Sequence, residues 1–208
     1  MPMPIIHLCV AEKLIHILKI NNIPDFYLGA VSPDAFYLEH TYYDIDGKHE
    51  RHLTAHLTDP DFSVWRNKVN NFISENNTAA NSDFYLGYGA HILTDIFWQE
   101  TVYAEFINEC GSWEETRMIY YSEAKRLDCE FYRSFELNSR VRGYLSNSRE
   151  KDINGLVTAE EVKSWKKSIL LLFDEFDSEE CKNPLEYISY NKMINFITNA
   201  AEKNGAGI

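Results

Sequence analysis

Apolar residues recur along this chain at helical spacing, and no region alternates apolar with polar residues for long enough to build a sheet. Ile6, Val10, Leu14, Ile17 and Leu18 form one stripe, which predicts a helix over residues 5 to 20. Phe62, Trp65, Val69, Phe72 and Ile73 form a second, running to about Asn76. Asp59-Pro60 suits its start, because Asp caps a helix and Pro tolerates the first helical position. Ser82 or Asp83 opens a long helix to about Glu109, stopped by Gly111. Ser112 with Glu115, and Thr158 with Glu161, read as capping boxes that open helices to about Leu137 and Phe176. A short helix is expected over Ser139 to Asn147, and Asn183-Pro184 starts a last one that frays near Lys203. From Asn21 to Gly47 the chain is rich in Pro, Gly, Asp and Tyr and reads as irregular backbone with one or two short turns. The longest loop is expected between Asn21 and Leu57. The fold class is therefore all-α, a single irregular multi-helix bundle over residues 1–208.

A chain of 208 residues suits one domain with a sizeable core. Thirty-two acids against twenty bases give a net charge of −12, so the basic footprint that a duplex nucleic acid requires is missing. The same charge disfavours docking on anionic lipid surfaces but leaves room for a local cation site that attracts a phosphate. The strongest apolar run, Ile169 to Phe173, is far too short for a transmembrane segment. The first residues lack the basic leader of a signal peptide. Cys9, Cys110, Cys129 and Cys181 show no close pairing and are expected to be reduced thiols in a cytoplasmic protein.

The histidines are lopsided. His7, His16, His40, His49, His52 and His56 all precede residue 57, and His91 is the seventh. His91 and Asp95 are four apart, so a helix brings them to one face within an otherwise apolar and aromatic segment. A buried carboxylate needs a partner, and two are available: the imidazole in a core hydrogen bond, or a metal ion. Gly87 and Gly89 lie one turn earlier. Each costs about 1 kcal/mol relative to Ala inside a helix, which points to close approach by another backbone or a ligand.

Three further elements stand out. Gly29-x-x-Ser32-Pro33-Asp34 is a turn or a helix cap. Lys48-His49-Glu50-Arg51-His52, with His56 one turn on, is either a solvated charged loop or a source of ligands. His7 falls near the start of the first helix, where a histidine can also simply bond to backbone.

Together these elements resemble the zinc-dependent phospholipase C and fungal single-strand nuclease superfamily, most closely its shorter, unsecreted bacterial members. The residues that carry the resemblance are His7, the Phe26-to-Asp34 segment, Lys48-x-x-x-His52, and Tyr88-Gly-Ala-His91-x-x-x-Asp95-x-x-Trp98. It covers roughly the first half of the chain, about 1–110, and leaves the helices of about 111–208 as support. The family's all-helical fold agrees with the reading above.

The resemblance implies that Asp34, His52, His91 and Asp95 bind a central metal, and that His7 and Asp95 bind a neighbouring one, with Asp95 bridging. It implies that Asp34 also orients or deprotonates the attacking water. His56 rivals His52 as the ligand. Imidazole with carboxylate suits zinc or another divalent transition metal, one or two ions, and such a centre can bind a phosphate and activate water. Lys48 is a candidate to steer a substrate phosphate. Tyr37, Tyr42, Tyr43, Tyr88 and Trp98 either line a pocket or pack in the core. The secreted members carry further histidines after the His-x-x-x-Asp motif. None follows His91 here, so a third metal site cannot be built the same way, though Glu100 or Asp128 can replace it in part.

Residues 150–161 nearly match a calcium loop, but Glu150 replaces the usual first Asp, and an Asn-Gly turn followed by the Thr158 capping box explains the same residues. Calcium is not the expected ion. The expected function is a metal-dependent hydrolase of a phosphoester, phospholipase C-like, acting on a small molecule or a lipid. The alternatives are a non-catalytic metal- or ligand-binding protein that keeps the fold, and an interaction module with structural His-Asp pairs.

Overall fold

The computed structural model describes residues 1–38, 49–54, 61–78, 80–110, 113–134, 137–178 and 185–208. Among these the chain is helical and contains no strand, as the apolar spacing requires. A single β-bridge joins Ile153 to Val157 across a turn at Gly155, whose φ of 75° is in the left-handed region.

Helix α1 (Pro4–Ile15) is shorter than the stripe predicts and ends before Ile17 and Leu18. The irregular stretch holds two elements, α2 (Ile23–Gly29) and a 3-10 turn (Ser32–Leu38). Helix α3 (Phe62–Asn76) is capped by Asp61, whose carboxylate accepts from the backbone of Ser63 at 2.9 Å. The Asp59-Pro60 start lies outside the described residues. The long helix expected from Ser82 breaks into α4 (Ser82–Trp98), a π turn (Gln99–Tyr103) and α5 (Ala104–Cys110). Within the π turn the Thr101 hydroxyl donates to the Phe97 carbonyl at 2.6 Å. Then come α6 (Trp113–Ser134), α7 (Leu137–Asn147), α8 (Ala159–Ser178) and α9 (Tyr190–Gly207).

The Thr158–Glu161 capping box forms in both directions. Thr158 N–H donates to Glu161 at 2.8 Å, and Glu161 N–H donates to the Thr158 hydroxyl at 3.3 Å. The box that Ser112 was expected to open lies outside the described residues. The last helix starts later than Asn183-Pro184 predicts, because the Glu123 carboxylate gathers the N–H groups of Glu186, Tyr187 and Ile188 and holds that segment out of helix. Ser189 then caps α9.

Cys9 and Cys110 are free, but Cys129 is disulfide-bonded, which corrects the expectation of four reduced thiols. The cysteines therefore no longer argue for a reducing compartment. No described helix is long and apolar enough to cross a membrane.

One contiguous core joins residues of all the helices. Helix α4 is its axis. Helices α2 and α3 pack on α4, α1 packs on α6 and α9, and α8 packs on the 3-10 turn. The α2–α4 crossing is unusually close. A Cβ on Gly87 would lie 2.1 Å from the Phe26 carbonyl oxygen, and one on Gly29 would lie 2.1 Å from that of Phe84. The glycines let the two backbones touch. Gly89 instead receives the Ile73 side chain from α3.

Candidate metal centre

Four local structures converge at the middle of α4. His91 and Asp95 stand one turn apart on its buried face. The glycine-mediated crossing brings the end of α2 alongside, so that the Ala30 carbonyl accepts from His91 Nδ1 at 2.9 Å. That bond fixes the tautomer and leaves Nε2 with its lone pair directed into the site.

Asp34 comes from the 3-10 turn that follows α2. The Ser32 hydroxyl donates to the Leu28 carbonyl at 2.6 Å, and the Trp165 indole of α8 donates to the Val31 carbonyl at 2.7 Å, so the turn is tied at both sides.

His52 directly follows the helical residues 49–51. Thr54 N–H donates to the His49 carbonyl at 2.8 Å and Leu53 N–H to the Glu50 carbonyl at 3.0 Å. This is a Schellman cap, and it places Leu53 in the left-handed region at φ 57° where glycine is usual. A leucine there costs about 1–2 kcal/mol. The strain is offset by two clamps. The Trp65 indole donates to the His52 carbonyl at 2.7 Å, and the Tyr88 hydroxyl donates to the Arg51 carbonyl at 2.8 Å. Arg51 also pairs with Glu161 of α8 at 2.8 Å.

His7 comes from the first turn of α1. The buried Asp128 carboxyl of α6 accepts from Ile5 N–H at 3.0 Å and Ile6 N–H at 3.3 Å, in place of a local cap. The His7 ring stacks on His91 with centroids 3.7 Å apart and planes 7° from parallel.

The five side chains are almost wholly inaccessible: His7 2%, Asp34 5%, His52 2%, His91 1% and Asp95 0% exposed. His91 Nε2 is 3.4 Å from Asp95 Oδ2 and 3.8 Å from Asp34 Oδ1. His52 Nε2 is 3.5 Å from each of the same two oxygens. His7 Nε2 is 3.5 Å from Asp95 Oδ1. These spacings exceed hydrogen bonds. Among the described residues, His7 Nε2, His91 Nε2, Asp34 Oδ1 and both Asp95 oxygens lack any hydrogen-bond partner. Buried polar atoms are rarely left so, and each would cost about 1–3 kcal/mol. Cations bound among them would give these atoms partners. Donors around a tetrahedral zinc lie about 3.3–3.4 Å apart, close to the spacings observed. Two trios have metal-binding spacing: Asp34, His52 and His91, and His7, His91 and Asp95.

The electrostatics fit the same reading. Burial, helped by the neighbouring His91, pushes His7 down to about 3, so its ring is neutral and one of its nitrogens carries a free lone pair. Burial pushes Asp34 and Asp95 upward, but the facing histidines more than reverse it and hold both below the usual carboxylate range. For His91 burial acts downward, and Asp95 and Asp34 outweigh it and raise the ring.

A family model described as zinc dependent phospholipase C matches residues 6–183. The chain belongs to that family. No curated protein and no solved structure matches it. Membership reaches well past the first half of the chain that carries the sequence resemblance, into the helices that hold Asp128, Trp165 and Glu161. Family and cluster together support a metal-dependent hydrolase.

The remaining candidates fall elsewhere. Trp98 is buried, donates to the Tyr120 hydroxyl at 2.8 Å and packs edge-on against Phe196. Asp128 caps α1, and burial pushes its carboxyl up to about 8 against the two backbone donors. Glu100 pairs with Arg66 and Lys203. In the 150–161 run Glu150 pairs with Lys166, and Asp152 accepts from Ala159 N–H at 2.7 Å. Lys48, His56, Tyr42 and Tyr43, and the side chain of Tyr37, lie outside the described residues. Sequence reasoning missed the supports: the Ala30 carbonyl, Trp65 and Arg51. Trp65 was legible only as a member of an apolar stripe.

Proposed function

We propose that the protein is a phosphoesterase whose resident ion is zinc or another divalent transition metal, with a small-molecule or lipid phosphoester as substrate. The observation that carries this reading is the convergence of buried, unpartnered donor atoms from His7, Asp34, His91 and Asp95. His52 completes the set by its distances to both carboxylates.

Asp34, His52, His91 and Asp95 are the proposed holders of the central ion, with His7 and Asp95 beside it. A cation there would polarise a phosphoryl oxygen and lower the pKa of a water. The chain's own residues do the rest. Ala30 fixes the His91 tautomer, and Trp65 and Tyr88 fix the turn that carries His52. Asp34, the most accessible of the five, is the proposed group that orients the attacking water or takes its proton. Lys48 is the proposed steering charge for the phosphate. Asp128 and Trp98 act at one remove, through α1 and the core.

The test is elemental analysis of protein purified without added metal or a histidine tag, beside His91→Ala, followed by hydrolysis of bis(4-nitrophenyl) phosphate. Bound transition metal in the wild type, lost in His91→Ala, supports the centre. Turnover lost in Asp34→Asn with metal retained supports catalysis. Metal without turnover supports instead the non-catalytic binding protein, and a chain that takes up no metal excludes both.

A further inference from the structure

Resting on that reading, the donors among the described residues are too few to hold two ions. Both trios use His91, and it is Nε2 of that ring that faces Asp34 and Asp95. Nδ1 of that ring is committed to the Ala30 carbonyl, and a neutral imidazole nitrogen has one lone pair, so His91 serves one ion at a time. Asp95 divides differently. Its Oδ2 faces His52 and His91, and its Oδ1 faces His7. With His91 joined to Asp34, His52 and Asp95 Oδ2, one position has four protein donors. Among the described residues the other keeps His7 Nε2 and Asp95 Oδ1, fewer than the three protein ligands usual for a catalytic zinc.

Charge counts the same way. Asp34 and Asp95 neutralise one divalent ion. Among the described residues no third carboxylate joins either trio. Asp128 is turned to the α1 backbone, and Glu100 to Arg66 and Lys203. A second ion beside the fully buried Asp95 would bring a double positive charge that no further described carboxylate balances, which is strongly unfavourable at such burial. Yet His7, 2% exposed, aims an unpartnered nitrogen at this position.

We propose that the position at His7 and Asp95 Oδ1 is an anion-dependent metal site, filled only when a phosphate oxyanion supplies the missing donors and charge. The oxyanion is either free phosphate or the phosphoryl group of a diester. The centre thus holds one ion at rest and two when phosphate is bound, and the second arrives with it.

The experiment is equilibrium dialysis of metal-stripped full-length protein against cobalt(II), with bound metal counted by elemental analysis and by the visible cobalt spectrum. Three buffers are compared: no added anion, inorganic phosphate, and dimethyl phosphate. The expected result is about one ion per chain without anion and about two with phosphate. A gain with dimethyl phosphate as well assigns the site to diesters; a gain with inorganic phosphate alone assigns it to free phosphate or monoesters. His7→Ala, or His7→Gln should the alanine variant fold poorly, keeps the first ion and loses the anion-dependent one. Two ions without any anion, or one ion in all three buffers, overturns the inference and leaves the proposed function standing. No ion in any buffer overturns the metal centre and this inference with it.

Discussion

The indole of Trp65 donates to the main-chain carbonyl of His52 at 2.7 Å, so a residue of α3 sets where a proposed ligand of a different segment can stand. Trp65→Phe keeps an aromatic side chain but removes the N–H together with part of the buried ring system. The buried carbonyl then loses its donor, for about 1–3 kcal/mol of stability. Metal affinity is expected to fall about tenfold, the usual scale for a group that orients a ligand. Metal titration of the folded variant checks this; unchanged affinity with lowered stability would show that the bond serves the fold alone.

Gly87→Ala tests the α2–α4 contact. The added Cβ meets the Phe26 carbonyl oxygen at 2.1 Å, and backbone cannot swing aside as a side chain can. A loss of about 3 kcal/mol is expected in urea unfolding. Gly89→Ala meets the Ile73 side chain instead, which can move, so its loss should be the smaller. Equal losses would count against the backbone contact.

Asp128 gives the fold a pH dependence. Burial raises its carboxyl to about 8 in the folded chain, while unfolded it titrates near the ordinary value of about 3.9. Between those values the folded state holds a proton that the unfolded state has released. The stabilisation from this group is full below the unfolded value and is lost as pH rises through about 8. Asp128→Asn cannot titrate. The stability difference, wild type minus variant, is therefore expected to fall between these two pH limits, measured by urea unfolding across the range. A flat difference would refute the raised carboxyl.

Thiol labelling in denaturant tests the cysteines. Cys9 and Cys110 should react before reduction, and Cys129 only afterwards. Labelling of Cys129 without reductant would restore the reading of reduced thiols.

Much of the centre was legible because its signals are local. His91 and Asp95 share a helix face by spacing alone, and Gly87 announced a close backbone before its partner in α2 was known. What was not legible depends on contacts distant in sequence. Glu123 gathers the N–H groups of residues 186–188 and delays α9, and nothing near Pro184 records that. The π turn at Gln99–Tyr103 has no composition of its own. Asp128 read as a possible ligand because a lone carboxylate in a helix does not reveal that it caps another.

The acceptor that orients His91 is a main-chain oxygen. Substitution of Ala30 changes a side chain and leaves that oxygen in place. The tautomer of His91 is thereby insulated from mutational drift as no carboxylate-oriented histidine can be. Among the described residues His7 has no such acceptor, so the orientation of this proposed ligand lacks that protection.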